Sequence, residues 1–262
     1  MNYKNILLLV FGFFVSSVGF SQDAKERNQE NINVNKFRQL YQEFSSPNMF
    51  RTASGAPGPA YYQQQADYKM DIELDDENKR IYGSETITYT NNSPDNLEYL
   101  WVQLDQNIRK KDSPSLLIDG GGVSPAYLPS GFTKEFLTDS FDGGFNIDYV
   151  VDENKKPLEH FVNQTMMRVD LPNILKSGES FSFSIKWWYN IQDHVNQDGR
   201  SGYESFDKDG NRVYIIAQFF PRMAVYNEVE GWQNYQFWGD GEFALPFGNY
   251  DVKITVPSDH IL

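Results

Sequence analysis

From Tyr68 onward the chain repeats one pattern, in which apolar and polar residues alternate over short stretches closed by clusters of Gly, Pro, Asn or Asp. Tyr68, Met70, Ile72 and Leu74 alternate with Lys69, Asp71 and Glu73. Successive side chains of a β-strand point to opposite faces, so such a stretch sends one row into a core and the other into water. A polar turn at 75–78 leads into 81–90, which alternates again, and the pair predicts a hairpin. A second turn at 91–96 leads to a strand over 97–104. Further strands are predicted at 145–151, 166–171, 180–191 and 213–220, the last ended by Pro221, and 250–256 is expected to be half-buried. No strongly helical stretch interrupts them. Many strands at short spacing without intervening helices predict an all-β fold, an antiparallel β-sandwich or curved saddle-like sheets. With 262 residues, 40% hydrophobic and 16% aromatic, the chain has enough apolar surface for a sizeable core.

Ahead of this region the pattern differs. Residues 1–21 read as a signal peptide, with Lys4 as the positive n-region, an apolar run over 6–15, and small residues at Gly19 and Ser21 before the expected cut. The apolar run is shorter than the roughly 20 residues that a bilayer-spanning helix needs, so export is expected rather than anchoring. Residues 22–60 form an N-terminal extension. Ile32, Phe37, Leu40, Tyr41 and Phe44 fall at helical spacing and predict one short helix outside the main domain, and the Pro/Gly-rich stretch 54–59 marks its boundary. Residues 61–262 are expected to make the β-rich domain. The absence of Cys excludes a disulfide framework, a thiolate metal site and a cysteine nucleophile. The formal charge of −13, from 36 acidic and 23 basic residues without a basic cluster, argues against nucleic acid. A soluble periplasmic or extracellular protein, with no membrane association after signal cleavage, is the expectation.

Several local patterns invite a chemical reading. Residues 207–211 (DKDGN) resemble the start of a calcium loop, but Gly210 stands fourth rather than sixth, and Gln218 occupies the place of the bidentate Glu. A hairpin turn is expected there instead. Trp187, Trp188, Tyr189, Trp232 and Trp238 offer an alternative function, a secreted carbohydrate- or protein-binding module with an exposed aromatic platform. Core packing is the competing explanation for the same residues. His160, His194 and His260 are far apart, and none has a histidine four residues on, so no zinc motif is present. No Gly-x-Ser-x-Gly elbow occurs. The connection 110–144, with three consecutive glycines, is long enough to be functional or disordered.

Two segments carry a family resemblance. Residues 68–107 run Tyr-x-apolar-x-apolar-x-Leu-Asp, a turn, then Gly83-x-x-x-Ile-x-Tyr-x-Asn91, then Leu97-x-x-Leu100-x-apolar-x-Leu104. Residues 217–257 run Ala-Gln218-Phe-Phe-Pro, a long aromatic loop, then Tyr250-x-Val-x-Ile-x-Val-Pro257. Together they resemble the opening and closing sections of the N-terminal domain of aminopeptidase N-like zinc metallopeptidases, over about two-thirds of the chain. The resemblance implies a following domain with an H-E-x-x-H zinc site and a Gly-x-Met-Glu-Asn segment for the substrate's amino terminus. Neither string occurs before Leu262, so zinc is expected in a catalytic domain outside this chain, and the chain alone is expected to be inactive. The expected partners are a peptide substrate and that domain. In the family a Thr-Gln-x-Glu-like strand end faces the cleft and helps bind the free amine. Gln218 takes the glutamine's place, Phe220 stands where the acid would be, and Glu242 is the candidate substitute acid. The two apolar residues at the end, Ile261 and Leu262, are expected to begin a further strand.

Overall fold

The computed structural model describes residues 47–115, 126, 128–133, 141–195, 200–239 and 243–262. The first hairpin pairs β1 (Gln65–Asp75) with β2 (Arg80–Thr90) along their full lengths. A turn brings the chain to β3 (Leu97–Gln103) and a short 3-10 turn over Asp105–Arg109. Then follow β4 (Asn146–Asp152), β5 (His160–Asn163), β6 (Met166–Leu175) and β7 (Ser180–Asn190). The β8 (Gly202–Phe206) and β9 (Asn211–Ile215) strands make a separate hairpin. Short pieces β10 (Arg222–Met223), β11 (Tyr226–Asn227) and β12 (Gly231–Trp232) precede β13 (Tyr250–Thr255).

Two sheets share the core. The five-stranded sheet has the order β13-β1-β2-β7-β4, and the four-stranded sheet has the order β10-β3-β6-β5. All these pairs are antiparallel except β1 with β13, which run parallel. The alternation of β1 sends Tyr68, Met70, Ile72 and Leu74 inward, and β7 adds Phe183, Ile185, Trp187 and Tyr189. From the facing sheet Leu100, Val102, Met167 and Val169 complete the same cluster. The all-β sandwich expectation therefore holds, and burial of this single core is the main stabilising term. On the solvent face of the larger sheet, Thr86, Thr88 and Thr90 bond across to Ser184, Ser182 and Ser180 at 2.9, 2.9 and 2.8 Å. Gly83 is required where it stands, because a Cβ there would overlap the Trp187 indole lying on it.

The structure departs from the sequence reading in particular places. The apolar run 213–220 is not one strand: β9 stops at Ile215, and the backbone of Gln218 turns left-handed at φ 52°. The strand over 250–255 is not half-buried, since all six of its residues are exposed. It is an edge strand, and Tyr250, Val252 and Ile254 are 48%, 40% and 46% exposed even though the Tyr250 ring stacks on Tyr68 at 5.0 Å. Strands β5 and β8 and the two-residue pieces β10, β11 and β12 are additional. Residues 207–210 do form the expected hairpin turn, with Gly210 at φ 68°. The predicted signal peptide and N-terminal helix lie outside the described residues. Within 110–144 a short helix occupies Pro129–Phe132.

Candidate functional site

Three consecutive polar residues after β3 organise one end of the sandwich. Asp105, Gln106 and Asn107 are only 1–2% exposed, and buried polar groups require partners. Each reaches a different segment. Asn107 accepts the Phe145 backbone N–H at 2.9 Å and donates to the Gln164 carbonyl at 2.7 Å. Gln106 donates through Nε2 to the carbonyls of Ala217 and Gln218 at 2.8 and 3.1 Å, and its Oε1 accepts from Arg109 at 3.0 Å. Asp105 takes both the Nε (3.0 Å) and Nη2 (2.5 Å) of Arg222.

The Gln106 clamp is what ends β9. Carbonyls that would bond a neighbouring strand bond this side chain instead, and Ser201 seals the same place. Its hydroxyl donates to the Ala217 carbonyl at 3.1 Å and accepts the Ala217 N–H at 2.8 Å. Left-handed backbone is disfavoured for a residue with a Cβ, so Gln218 sits in a strained turn held by its surroundings. Its side chain forms no hydrogen bond with any described residue and lines a cavity of about 300 Å³.

Asp105 and Arg222 lie at this cavity with Gln218, and Arg200, Phe237, Phe243 and Leu245 complete the lining. Burial pushes the Asp105 carboxyl up from its ordinary value while the Arg222 guanidinium pulls it down. Burial prevails and the net shift is upward, while both Arg222 nitrogens bond the one oxygen Oδ2, from a guanidinium side chain that is itself only 15% exposed. The Phe237 wall is fixed from behind. Gln236 accepts from the N–H and hydroxyl of Thr165 at 2.8 and 2.7 Å, and Thr165 accepts the Phe237 N–H at 2.7 Å. Among the described residues the lining offers the ion pair of Asp105 with Arg222, a second guanidinium from Arg200, one amide able to donate and accept, and an apolar wall.

Of the two residues predicted for the site, Gln218 is at this cavity and Glu242 lies outside the described residues. Phe220 is turned away from an acid's role, packed edge-on against Tyr68 at 5.5 Å and Tyr250 at 6.3 Å. The acid that the cavity does hold is Asp105, which sequence reasoning missed, as it missed Arg222. The pair joins residues 117 positions apart, and no local pattern signals it. The aromatic platform expected of a binding module does not form from the predicted residues. Trp187 is completely buried, and Trp188 is half-buried beneath Arg80, whose guanidinium lies 4.6 Å from its ring centre. Among the described residues no three His, Asp or Glu side chains gather into a metal-binding group.

No protein-family model and no curated protein matches the chain. Solved structures do. An M1 zinc metallopeptidase from Deinococcus radiodurans matches at 13% identity and TM-score 0.35, over 75% of this chain and 32% of that one. A mutant of it bound to a Tyr-Ser-Ala substrate matches at 14% identity and TM-score 0.34, over 74% and 32%. A two-domain M1 zinc metallopeptidase mutant bound to L-tryptophan matches at 13% and TM-score 0.36, over 77% and 35%. The chain therefore spans about a third of the length of the structures it matches. At such identity the chemistry of this chain rests on its own residues.

Proposed function

We propose that this chain is the β-rich N-terminal domain of an exported zinc metallopeptidase of the aminopeptidase N type, shaping a substrate cleft with a catalytic domain that follows Leu262. Gln218 is the residue that meets the substrate's amino-terminal end. The observation that carries this reading is the strained, clamped turn at Gln218, which holds an otherwise unbonded amide at a cavity. Strain of this kind persists where the surroundings over-determine it, and function is one reason for it to be kept. In this reading Asp105 supplies the negative charge that Phe220 does not, and Arg222 tempers it. A site floored by an ion pair discriminates less sharply for a free ammonium than one with an unpaired carboxylate, so the peptide's first carbonyl is bound alongside the amine.

The experiment is a titration of the isotope-labelled chain with alanyl-alanine amide and with its N-acetylated form, following the Gln218 side-chain amide resonance. Binding that requires the free amine supports the reading, and equal response to both forms, or none, removes it. Reading the coding sequence beyond Leu262 tests the parent enzyme separately. An H-E-x-x-H string in the next domain-length of residues supports it, and a stop codon directly after Leu262 rules it out.

A further inference from the structure

A second cavity, about 330 Å³, lies on the other end of the segment that walls the first, and Leu245 lines both. Its walls come from three stretches of chain: 51–64, the β11–β12 region, and 244–247. Two glycines build those walls by close approach. A Cβ on Gly58 would lie 2.5 Å from the Met49 carbonyl oxygen, and one on Gly248 would fall on the Ala66 carbonyl. Both stretches are therefore pressed onto their supports in a way that a larger residue would prevent.

The lining chemistry narrows the occupant. Among the described residues the charged side chain of the lining is Arg51, whose charge is met by Glu228, bonded through Nε, and which also lies 5.2 Å over the Tyr61 ring. Val225, Leu245, Pro246 and Phe247 give apolar surface, and Phe247 is 71% exposed. Amides provide the polar contacts. The Gln233 side chain bonds no described residue, and Asn227 spends only its Oδ1, on the N–H groups of Val229 and Glu230 at 3.0 Å each. Primary amides both donate and accept, which matches the peptide group, and a mostly apolar pocket without net charge suits an uncharged side chain. Tyr226, tied to Asp95 at 2.8 Å, is a fixed part of the wall.

We infer that this cavity is a peptide-binding subsite that takes an apolar or aromatic side chain, with Gln233 and Asn227 bonding the flanking peptide groups. It stands apart from the amine reading of Gln218, because its ligand needs no free amino terminus. The shared Leu245 makes the two cavities neighbours along one peptide.

The test uses the full chain and blocked tripeptides, acetyl-Ala-Phe-Ala-amide against the same peptide with Asp or Lys at the centre, with maltotriose as a saccharide probe. The Gln233 side-chain amide resonance reports occupancy. The expected result is that the Phe peptide shifts this resonance and binds about tenfold more tightly than either charged peptide. Gln233→Ala should weaken the Phe peptide by about tenfold while leaving the circular dichroism spectrum unchanged. No shift with millimolar Phe peptide, equal binding of the charged peptides, a Gln233→Ala variant that binds as well as wild type, or a preference for maltotriose each overturns the inference. Because the peptides are acetylated, such a failure leaves the reading of Gln218 standing.

Discussion

Replacing Glu85 with glutamine should leave stability almost unchanged near pH 4 and raise it increasingly towards pH 7. Glu85 faces the core from β2, between Gly83 and Ile87, and is 2% exposed with neither carboxylate oxygen hydrogen-bonded. Burial pushes its carboxyl well above the ordinary 4.5, so the acid is neutral in the folded chain. In the unfolded chain it ionises at its ordinary value. Between that value and the folded one, only the unfolded state loses a proton, and stability falls as pH rises, by about 1.4 kcal/mol per unit. If the folded acid stays protonated to pH 7, the loss from 4.5 upward reaches about 3 kcal/mol, which is the ceiling of the effect. Glutamine has the same shape and does not ionise, so the variant lacks this slope. Tyr68 and Tyr250, the other titratable groups acting on this part of the core, are both raised and remain neutral through the window. Asp105 contributes to both proteins and cancels in the difference. Urea unfolding followed by tryptophan fluorescence from pH 4 to 8 measures it. A constant offset between the two proteins is compatible with the amide's own packing, but a difference that does not grow with pH would falsify the burial argument.

Asp105→Asn should destabilise the fold by about 3 kcal/mol or more, because it leaves the Arg222 guanidinium, 15% exposed on its side chain, without its counter-charge; urea midpoints at pH 7 test this. Gln106→Ala strands the Ala217 and Gln218 carbonyls and should cost about 1–3 kcal/mol, and hydrogen exchange should accelerate around 216–220 more than in β2 or β7. Equal protection in both places would show that the clamp does not hold the turn. Gly83→Ala forces a methyl into the Trp187 indole and should cost about 1–3 kcal/mol with a shifted tryptophan emission, whereas an unchanged thermal midpoint would mean that the sheet accommodates it.

Much of the fold was legible because period-two alternation is local. β1, β2, β3 and β7 fall within a few residues of their predicted limits, since their own sequences choose which face is buried. What failed depended on distant residues. Tyr250, Val252 and Ile254 alternate as a half-buried strand should, yet the strand lies parallel beside β1 at the edge of the sheet, where the apolar row stays 40–48% exposed. The run 213–220 is apolar enough to be a strand, but the carbonyls of Ala217 and Gln218 are claimed by Gln106, more than a hundred positions earlier in the chain. The site divides in the same way. Gln218 is singled out by a resemblance of motif, while Asp105 and Arg222 are an ion pair between residues 117 positions apart, which no local pattern signals. Glu85 is the exception. In the alternation of Ile81, Glu85, Ile87 and Tyr89 it already stands on the core-facing side, so its burial was written in the sequence.

The balance of energies at Gln218 explains how the turn persists. A left-handed backbone at a residue with a Cβ costs roughly 1–2 kcal/mol. Against it stand two bonds from Gln106 and two with Ser201, each contributing about 0.5–1.5 kcal/mol net. The clamp thus outweighs the strain, and it does so with groups that are themselves anchored: the Gln106 oxygen on Arg109, and the Ser201 carbonyl on the Gln192 amide at 2.6 Å. None of these bonds uses the side chain of Gln218. A turn whose hydrogen bonds all go to the backbone leaves the Gln218 amide unbonded beside an ion pair, which is the arrangement that the proposed amine-binding role requires. Replacing Gln218 with glycine would relieve the strain and should therefore raise stability slightly while abolishing the free-amine response of the cavity. Loss of stability in that variant, seen as a lower urea midpoint, would mean instead that the side chain contributes to packing and that the turn serves the fold alone.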